Sequence, residues 1–396
     1  MIILLILATI LLFLGILEYA RHLRQLSAIP IRIHVNGTRG KSTTTRLIAG
    51  ALREAGWRVL AKTTGSAPRI IFEDDHEQPV KRRGSPNIIE QKRIVRLAAK
   101  RKAKALVLEC MAIHPETQWI SEHRLVRSTI GVITNVRQDH SDLMGATAET
   151  VANVLSLTIP AKGLLVLTDT PFTELFCHIA ARQQTSVHVV QPADISLETL
   201  NQFPYPTFQE NVACTLKVCS LLGVSPEIAL RGMQKAAPDL GAMHVYSLKY
   251  RASNIYLVNA FAANDPESTS MAWQRLQQSP VFTRIQHLPV IGVLNNRSDR
   301  GFRVRQLAEW VTQAEIPMEH LILTGDTNLW AKQYLQRQER THPPIHVRRK
   351  FQPIAQFCDW IHQICQENLL LFGFGNMKGA GEQLVEYFET HGETVL

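Results

Sequence analysis

The feature that most constrains this chain is the turn His34-Val35-Asn36-Gly37-Thr38-Arg39-Gly40-Lys41-Ser42-Thr43. It lies between a short apolar strand, IRIHV (31–35), and the helix-like stretch STTTRLIAGALREAG (42–56). A Gly-rich turn in that context lets backbone N–H groups cradle phosphates at a helix N-terminus. Gly37, Thr38, Arg39, Gly40, Lys41, Ser42 and Thr43 are the expected nucleotide-binding residues. Lys41 would reach the β- and γ-phosphates, and Ser42 would hold Mg²⁺. Val35 stands where the GxxxxGK[ST] pattern has its first Gly. The bland alternative is a Gly turn with a capping Ser.

Strands and helices alternate along the chain after this turn. ALVLE (105–109), TIGVITN (129–135), KGLLVLTD (162–169) and SVHVVQP (186–192) read as strands. This alternation predicts an α/β domain with a parallel sheet covered on both faces. Helices are expected over 210–223, stopped by Gly223, and over 225–237, opened by Ser225-Pro226. Pro238-Asp239-Leu240-Gly241 reads as a domain boundary. A second α/β series follows in NIYLVNAFA, PVIGVLN, HLILTGD, IHVRRKF and NLLLFGF. The expected organisation is a transmembrane anchor at 1–20, a P-loop ATP-binding domain at 28–240 and a smaller α/β domain at 241–396.

Residues 1–17, MIILLILATILLFLGIL, carry no charge. That length is at the short end of the ~17–25 residues that span a bilayer. A signal peptide would want a basic n-region and a small-x-small cleavage site, and neither stands out. A buried core helix is the structural alternative. Arg21, His22 and Arg24 follow the apolar run, so the positive-inside rule puts the main domains in the cytoplasm of a single-pass cell-membrane protein. Forty-three Lys+Arg against 34 Asp+Glu leave a net charge of +9, which points to an anionic partner. Ten of those cations lie in 81–104 beside one acid, Glu90. Such a run is either a solvated face or a site for anionic lipid or a polyanionic product. The six cysteines, 110, 177, 214, 219, 358 and 365, form no CxxC pair, which argues against a disulfide scaffold or zinc ribbon.

Two further strand ends carry metal-binding chemistry. Glu109 closes ALVLE, where a carboxylate beside a P-loop can hold Mg²⁺. Thr134-Asn135-Val136-Arg137-Gln138-Asp139-His140-Ser141-Asp142 follows the next strand, and Asp and neutral His both ligate metal. In the second series, Arg297 and Arg300 sit after VIGVL. They are candidates to hold an amino-acid carboxylate by bidentate hydrogen bonds, against the alternative of a solvated charged loop. Gly373-Phe374-Gly375-Asn376-Met377-Lys378-Gly379 is a Gly-rich strand-to-helix turn.

A P-loop of the form GTxGK[ST]T without its first Gly resembles the Mur ligase superfamily, which makes amide bonds at the expense of ATP. The resemblance runs from about residue 31 to the C-terminus. With its apolar N-terminus and the segment KTTGSAPR, the chain is most similar to the ligase subunits of poly-γ-glutamate synthases. Within that resemblance Lys41, Glu109 and His140 are implied as catalytic, with Ser42, Glu109 and His140 at metal. Asn211 is implied on the ATP side, Glu210 standing for the motif's His and Cys214 for its later Asn. Asn259–Pro266 resembles the family's DxxAHNP segment, which makes Asn264 a substrate-side candidate. Ala242 stands where an Arg would touch the γ-phosphate. The family's carbamylated Lys has no counterpart between Asp142 and Lys162.

The implied activity is an ATP-dependent amide ligase that extends poly-γ-glutamate through an acyl phosphate at the cytoplasmic membrane face. ATP and Mg²⁺, with Mn²⁺ as the alternative ion, are the implied cofactors. Glutamate, the growing polymer, the membrane and further membrane subunits of a synthase or export complex are the expected partners, and nucleic acid is not. The rival readings are another folylpolyglutamate-type amino-acid ligase and a membrane-anchored P-loop ATPase that drives export.

Overall fold

The computed structural model describes residues 1–396 except 66–67, 83, 139–140, 146, 240–241, 299–300, 314–315, 338–341, 349–350, 352 and 366, and the side chains of 141–142. Its contacts divide into two units: Met1–Ser196 with Thr207–Asp239, and Leu197–Pro206 with Leu240–Leu396.

The first unit is built on eight strands: β1 (Ile31–Asn36), β2 (Val59–Lys62), β3 (Arg69–Ile71), β4 (Glu77–Pro79), β5 (Ala105–Glu109), β6 (Ile130–Ile133), β7 (Leu164–Thr168) and β8 (Ser186–Val190). They form one sheet in the order β4-β3-β2-β5-β1-β6-β7-β8. From β2 to β8 every pairing is parallel. The wholly parallel sheet expected from the sequence is corrected at one edge, where β3 and β4 run antiparallel. These two strands have three residues each, and β4 is Glu-Gln-Pro. They give no apolar run to read, and Pro is tolerated because β4 is an edge strand. Arg46, buried in the helix behind the P-loop, ties β4 in place through Glu77.

β1 lies between β5 and β6, with Val35 opposite Glu109 and Asn36 opposite Ile133. The connections leaving these three strands therefore share the sheet's C-terminal edge. The helix Lys41–Glu54 leaves β1 and is buried at every residue from Thr44 to Leu52. One face meets the sheet. The other meets the helix Pro226–Lys235, whose N-cap Ser225 accepts from the N–H of Ile228. Gly50 and Gly232 lie at this crossing, and a methyl group on either would run into the other's carbonyl.

The apolar N-terminus forms the helix Ile2–Ser27. Its most apolar 18-residue window has a mean hydropathy of 2.7 and no buried residue, which removes the buried-core-helix alternative. The same helix then enters the domain without a break. Leu26 and Ile29 join a core with Leu60, Phe72, Ile94 and Val95. His22 Nε2 donates to the carbonyl of Leu125 at 2.9 Å, and Lys92 Nζ donates to Glu18 at 2.5 Å.

The second unit has seven strands: β9 (His244–Tyr250), β10 (Ser253–Ala260), β11 (Val290–Asn296), β12 (Met318–Gly325), β13 (Ile345–Val347), β14 (Leu369–Gly375) and β15 (Glu393–Thr394). Their order is β13-β12-β11-β14-β10-β9-β15, with β9 and β15 antiparallel to their neighbours. The central strand β14 is buried at all positions, and Phe372 and Phe374 pack edge-on against Trp273 and Trp310. Leu197–Pro206 belongs to this unit: Arg275 donates to Asn201 Oδ1 at 3.2 Å and to the Leu200 carbonyl at 3.3 Å.

The Gly50–Gly232 contact has a direct test. Gly232→Val should overpack the crossing and lower unfolding stability by about 1–3 kcal/mol, read from denaturant melts.

Candidate active site

Two glycines shape the P-loop. Gly37 (φ +127°) and Gly40 (φ +77°) adopt backbone conformations that side chains disfavour. A Cβ on Gly37 would strike Thr134 Oγ1, and one on Gly40 would strike Asn211 Oδ1. The loop can therefore approach these partners closely while Gly40 caps the helix that begins at Lys41. Lys41 Nζ curls back over the loop and donates to the carbonyls of Gly37 (2.7 Å) and Thr38 (3.1 Å).

The segment after β6 grips the loop from one side. Asn135 Oδ1 accepts from the N–H of Arg39 at 2.9 Å, and Thr134 Oγ1 donates to the Arg39 carbonyl at 2.5 Å. Thr38 Oγ1 accepts from the N–H of Arg137 at 2.8 Å. Glu210 holds this segment in turn, accepting from Asn135 Nδ2 at 2.7 Å and from Arg137 at 3.1 Å. Asn211, next along the helix Gln209–Leu221, is 1% exposed, and its Oδ1 accepts from Thr44 Oγ1 at 3.2 Å. It sits beneath the loop. Cys214 faces inward against Thr168 at 3.1 Å, and burial pushes its thiol up to about 12. It behaves as a packed residue.

Glu109 occupies the other side of the loop. Its Oε2 accepts from Ser42 Oγ at 2.8 Å and from the N–H of Thr64 at 2.5 Å. Gly65 lies against both Ser42 Oγ and the Asp239 carboxylate. Asp239 approaches Arg46 at 3.7 Å. These oxygen donors beside a phosphate cradle suit a hard divalent cation. Lys62 Nζ is fully buried nearby and pairs with Glu90 at 2.6 Å. Burial pushes the Lys62 ammonium down, while Glu90 and Glu109 pull it back up. Glu90 also binds Arg82 at 2.7 Å. Lys62, Thr64 and Asp239 were not singled out from the sequence. Lys62 and Thr64 belong to the quoted KTTGSAPR segment, and Asp239 to the stretch read as a boundary. No local spacing connects them to Glu109.

Asp139, His140 and Arg300 lie outside the described residues. Among the described residues no group of three or more His, Cys, Asp or Glu side chains is arranged to hold a metal. Lys162 precedes β7, and its N–H donates to the Gln183 carbonyl at 2.9 Å. It is therefore at the opposite edge of the sheet from the P-loop, and cannot stand in for the family's carbamylated Lys. In the second unit, Asn264 follows β10 and Arg297 follows β11, at the C-terminal edge of that sheet. Asp265 is committed to capping the helix Pro266–Gln277, accepting from Ser268 N–H at 2.9 Å. Asn295 Nδ2 holds the Gly-rich turn after β14 through the carbonyls of Asn376 (2.6 Å) and Lys378 (3.0 Å).

Comparison with known proteins agrees with this geometry. The Mur ligase middle domain model matches residues 35–206, and the poly-gamma-glutamate synthase CapB C-terminal domain model matches 245–391. The chain is 38% identical over 388 residues to PGA synthase CapB of Bacillus subtilis (strain 168), covering 97% of this chain and 96% of that protein. It is 37% identical over 383 residues to the capsule biosynthesis protein CapB of Bacillus anthracis, covering 94% of this chain and 79% of that one. Among solved structures, MurF from Acinetobacter baumannii aligns with a TM-score of 0.66 at 16% identity, over 96% of this chain and 79% of that one. Folylpolyglutamate synthase from Thermotoga maritima aligns at 0.62 and 15% identity, over 94% and 93%. A bifunctional folylpolyglutamate synthase/dihydrofolate synthase from Yersinia pestis, complexed with AMPPNP and Mn ion, aligns at 0.66 and 16%, over 93% and 92%. These likenesses show a Mur-ligase-type α/β fold with mixed sheets.

The Ser42–Glu109 pair predicts a metal-dependent defect. Glu109→Gln keeps the acceptor for Thr64 but removes the charge. It should raise the Mg²⁺ concentration needed for nucleotide binding by roughly tenfold or more, read by titrating a fluorescent ATP analogue.

Proposed function

The chain belongs to the CapB family of poly-gamma-glutamate synthases, a family of ATP-dependent amide ligases, and we propose that it extends poly-γ-glutamate at the cytoplasmic face of the membrane. The carrying observation is the convergence of Lys41, Ser42 and Glu109 at the mouth of one Gly-rich loop. The terminal carboxylate of the growing chain attacks the γ-phosphate of ATP, giving an acyl phosphate and ADP. The amine of an incoming glutamate then adds to the acyl carbon, and the tetrahedral intermediate collapses to the amide with loss of phosphate and a proton.

In this reading the loop from Gly37 to Thr43 binds the phosphates through its N–H groups, and Lys41 leaves the loop carbonyls to meet the charge on the transferring phosphoryl group. Ser42 and Glu109 would hold Mg²⁺, with Mn²⁺ as an alternative, and that ion would neutralise the phosphate oxygens. Asn211 keeps the ATP-side role implied by its motif, its amide lying against Gly40. His140 keeps the second-ion role implied by its motif, and Asn264, Arg297 and Arg300 are the proposed glutamate-side residues. The ATP-binding domain is taken as 28–240 and the acceptor domain as 241–396. The helix over residues 2–17 crosses the membrane with the domains inside, and further membrane subunits supply the export path.

Membranes containing the full chain, given ATP, Mg²⁺ and labelled glutamate, should accumulate a protease-resistant labelled polymer. Lys41→Ala should reduce it by about 10³-fold or more without lowering the melting temperature. ADP release that does not depend on glutamate would instead identify an export ATPase. For topology, trypsin added outside right-side-out vesicles should leave the main domains intact, and their digestion would reverse the assigned orientation.

A further inference from the structure

The basic run at 81–104 and the end of the apolar helix meet in a cavity of about 280 Å³, lined by Glu18, Arg21, His22, Gln25, Lys92 and Arg96. The helix Glu90–Lys100 lies beside the N-terminal helix and runs the same way. Glu18 meets Lys92, and further along Leu26 shares a core with Val95 and Ala98. The cavity thus opens at the level where the apolar span ends. Ile89, just before this second helix, is exposed.

The lining is three cations against one carboxylate. Glu18 is taken by Lys92, while Arg21 and Arg96 are exposed and form no ion pair among the described residues. His22 is only 3% exposed. Its Nε2 faces a carbonyl, which only accepts, so Nε2 carries the proton. Burial also holds the imidazole below its ordinary range, so Nδ1 presents a lone pair. That Nδ1 has no hydrogen-bond partner among the described residues. A buried acceptor without a donor is costly. The complementary ligand has an anionic phosphate for the arginines.

A polyanionic chain fits the cavity itself less well than one small group. Arg82 and Arg101, elsewhere in the basic run, are already paired with Glu90 and Glu73. The unpaired cations at the cavity are therefore not continued by these two into a long track, and the cavity has room for one small group.

We infer that the cavity binds one anionic glycerophospholipid headgroup, with its phosphate between Arg21, Lys92 and Arg96. This rests on the membrane-anchor reading proposed above.

Full-length protein in a non-ionic detergent is offered short-chain phosphatidylglycerol, phosphatidylcholine, glycerol 3-phosphate, inorganic phosphate or a glutamate oligomer, and bound species are counted by native mass spectrometry. The expected result is one phosphatidylglycerol per chain, preferred over phosphatidylcholine by roughly tenfold or more and lost in Arg21→Gln/Arg96→Gln. Unchanged melting and ATP binding establish that this variant is folded. Should it melt lower, Gln25→Trp fills the cavity without altering charge and should lose the lipid equally. Equal retention of the two lipids, or phosphatidylglycerol binding that neither variant moves, overturns the site. Displacement of the lipid by inorganic phosphate, glycerol 3-phosphate or the oligomer at equal concentration overturns its assignment to lipid. Alkaline extraction separates this from the anchor. Wild-type chain that washes off membranes removes both readings, while wild-type chain that stays embedded without lipid preference removes only this one.

Discussion

The carboxylate of Glu109 is the constraint on which the first unit is organised. It is 3% exposed, yet it must meet three separate stretches of chain: its own strand β5, the P-loop helix through Ser42, and the connection after β2 through Thr64. Only a sheet with β5 next to β1 and β2 brings those stretches together. A buried carboxylate also needs nearby positive charge and hydrogen-bond donors. The answer here is an alternating series: Glu109, then the buried Lys62 ammonium, then Glu90, then Arg82 at the surface. Glu90 opens the same helix whose Lys92 grips the apolar N-terminal helix. One helix therefore carries both the outer end of the site's charge series and a contact to the apolar N-terminal helix.

Much of this was legible in the sequence because it is local. GTRGKST declares itself through two glycines and a lysine at fixed offsets, and the central strands declare themselves as short apolar runs. Glu109 and Asn135 could be named because each stands at or just past the end of such a run. The edge hairpin β3–β4 could not, since three-residue strands with Glu, Gln and Pro carry no periodicity. Lys62 was invisible for a different reason. A lysine is normally a solvated residue, and only the fold reveals that Glu90 lies 28 positions away in sequence but 2.6 Å away in space. Asn211 is implied on the ATP side by its motif, and the structure adds that its Oδ1 lies against Gly40 and accepts from Thr44 Oγ1. These contacts join residues 167 or more positions apart, so no local spacing carries them.

The basic run at 81–104 illustrates the limit of charge counting. The sequence shows ten cations and one acid there. The fold imports Glu18 and Glu73 from elsewhere and uses Glu90 twice. Among the described residues of the run, Arg82, Lys92 and Arg101 are paired, and Arg96 is left at the cavity beside Arg21, which lies outside the run.

The uninterrupted passage of the helix Ile2–Ser27 from exposed apolar residues to the domain core bears on how such a molecule would find its partners. A catalytic domain on a flexible tether tumbles, and each productive encounter must settle three rotational coordinates. Here 26 residues form one rod of roughly 39 Å, fixed at its lower end by Leu26, Ile29 and His22. Embedded in a bilayer, the domain could drift laterally and spin about the membrane normal but tilt only with its rod. Two of the three rotational coordinates would be set by the membrane before any partner arrived. Assembly with another membrane protein would then be a search in a plane, and most of its orientational entropy would already have been lost when the helix inserted.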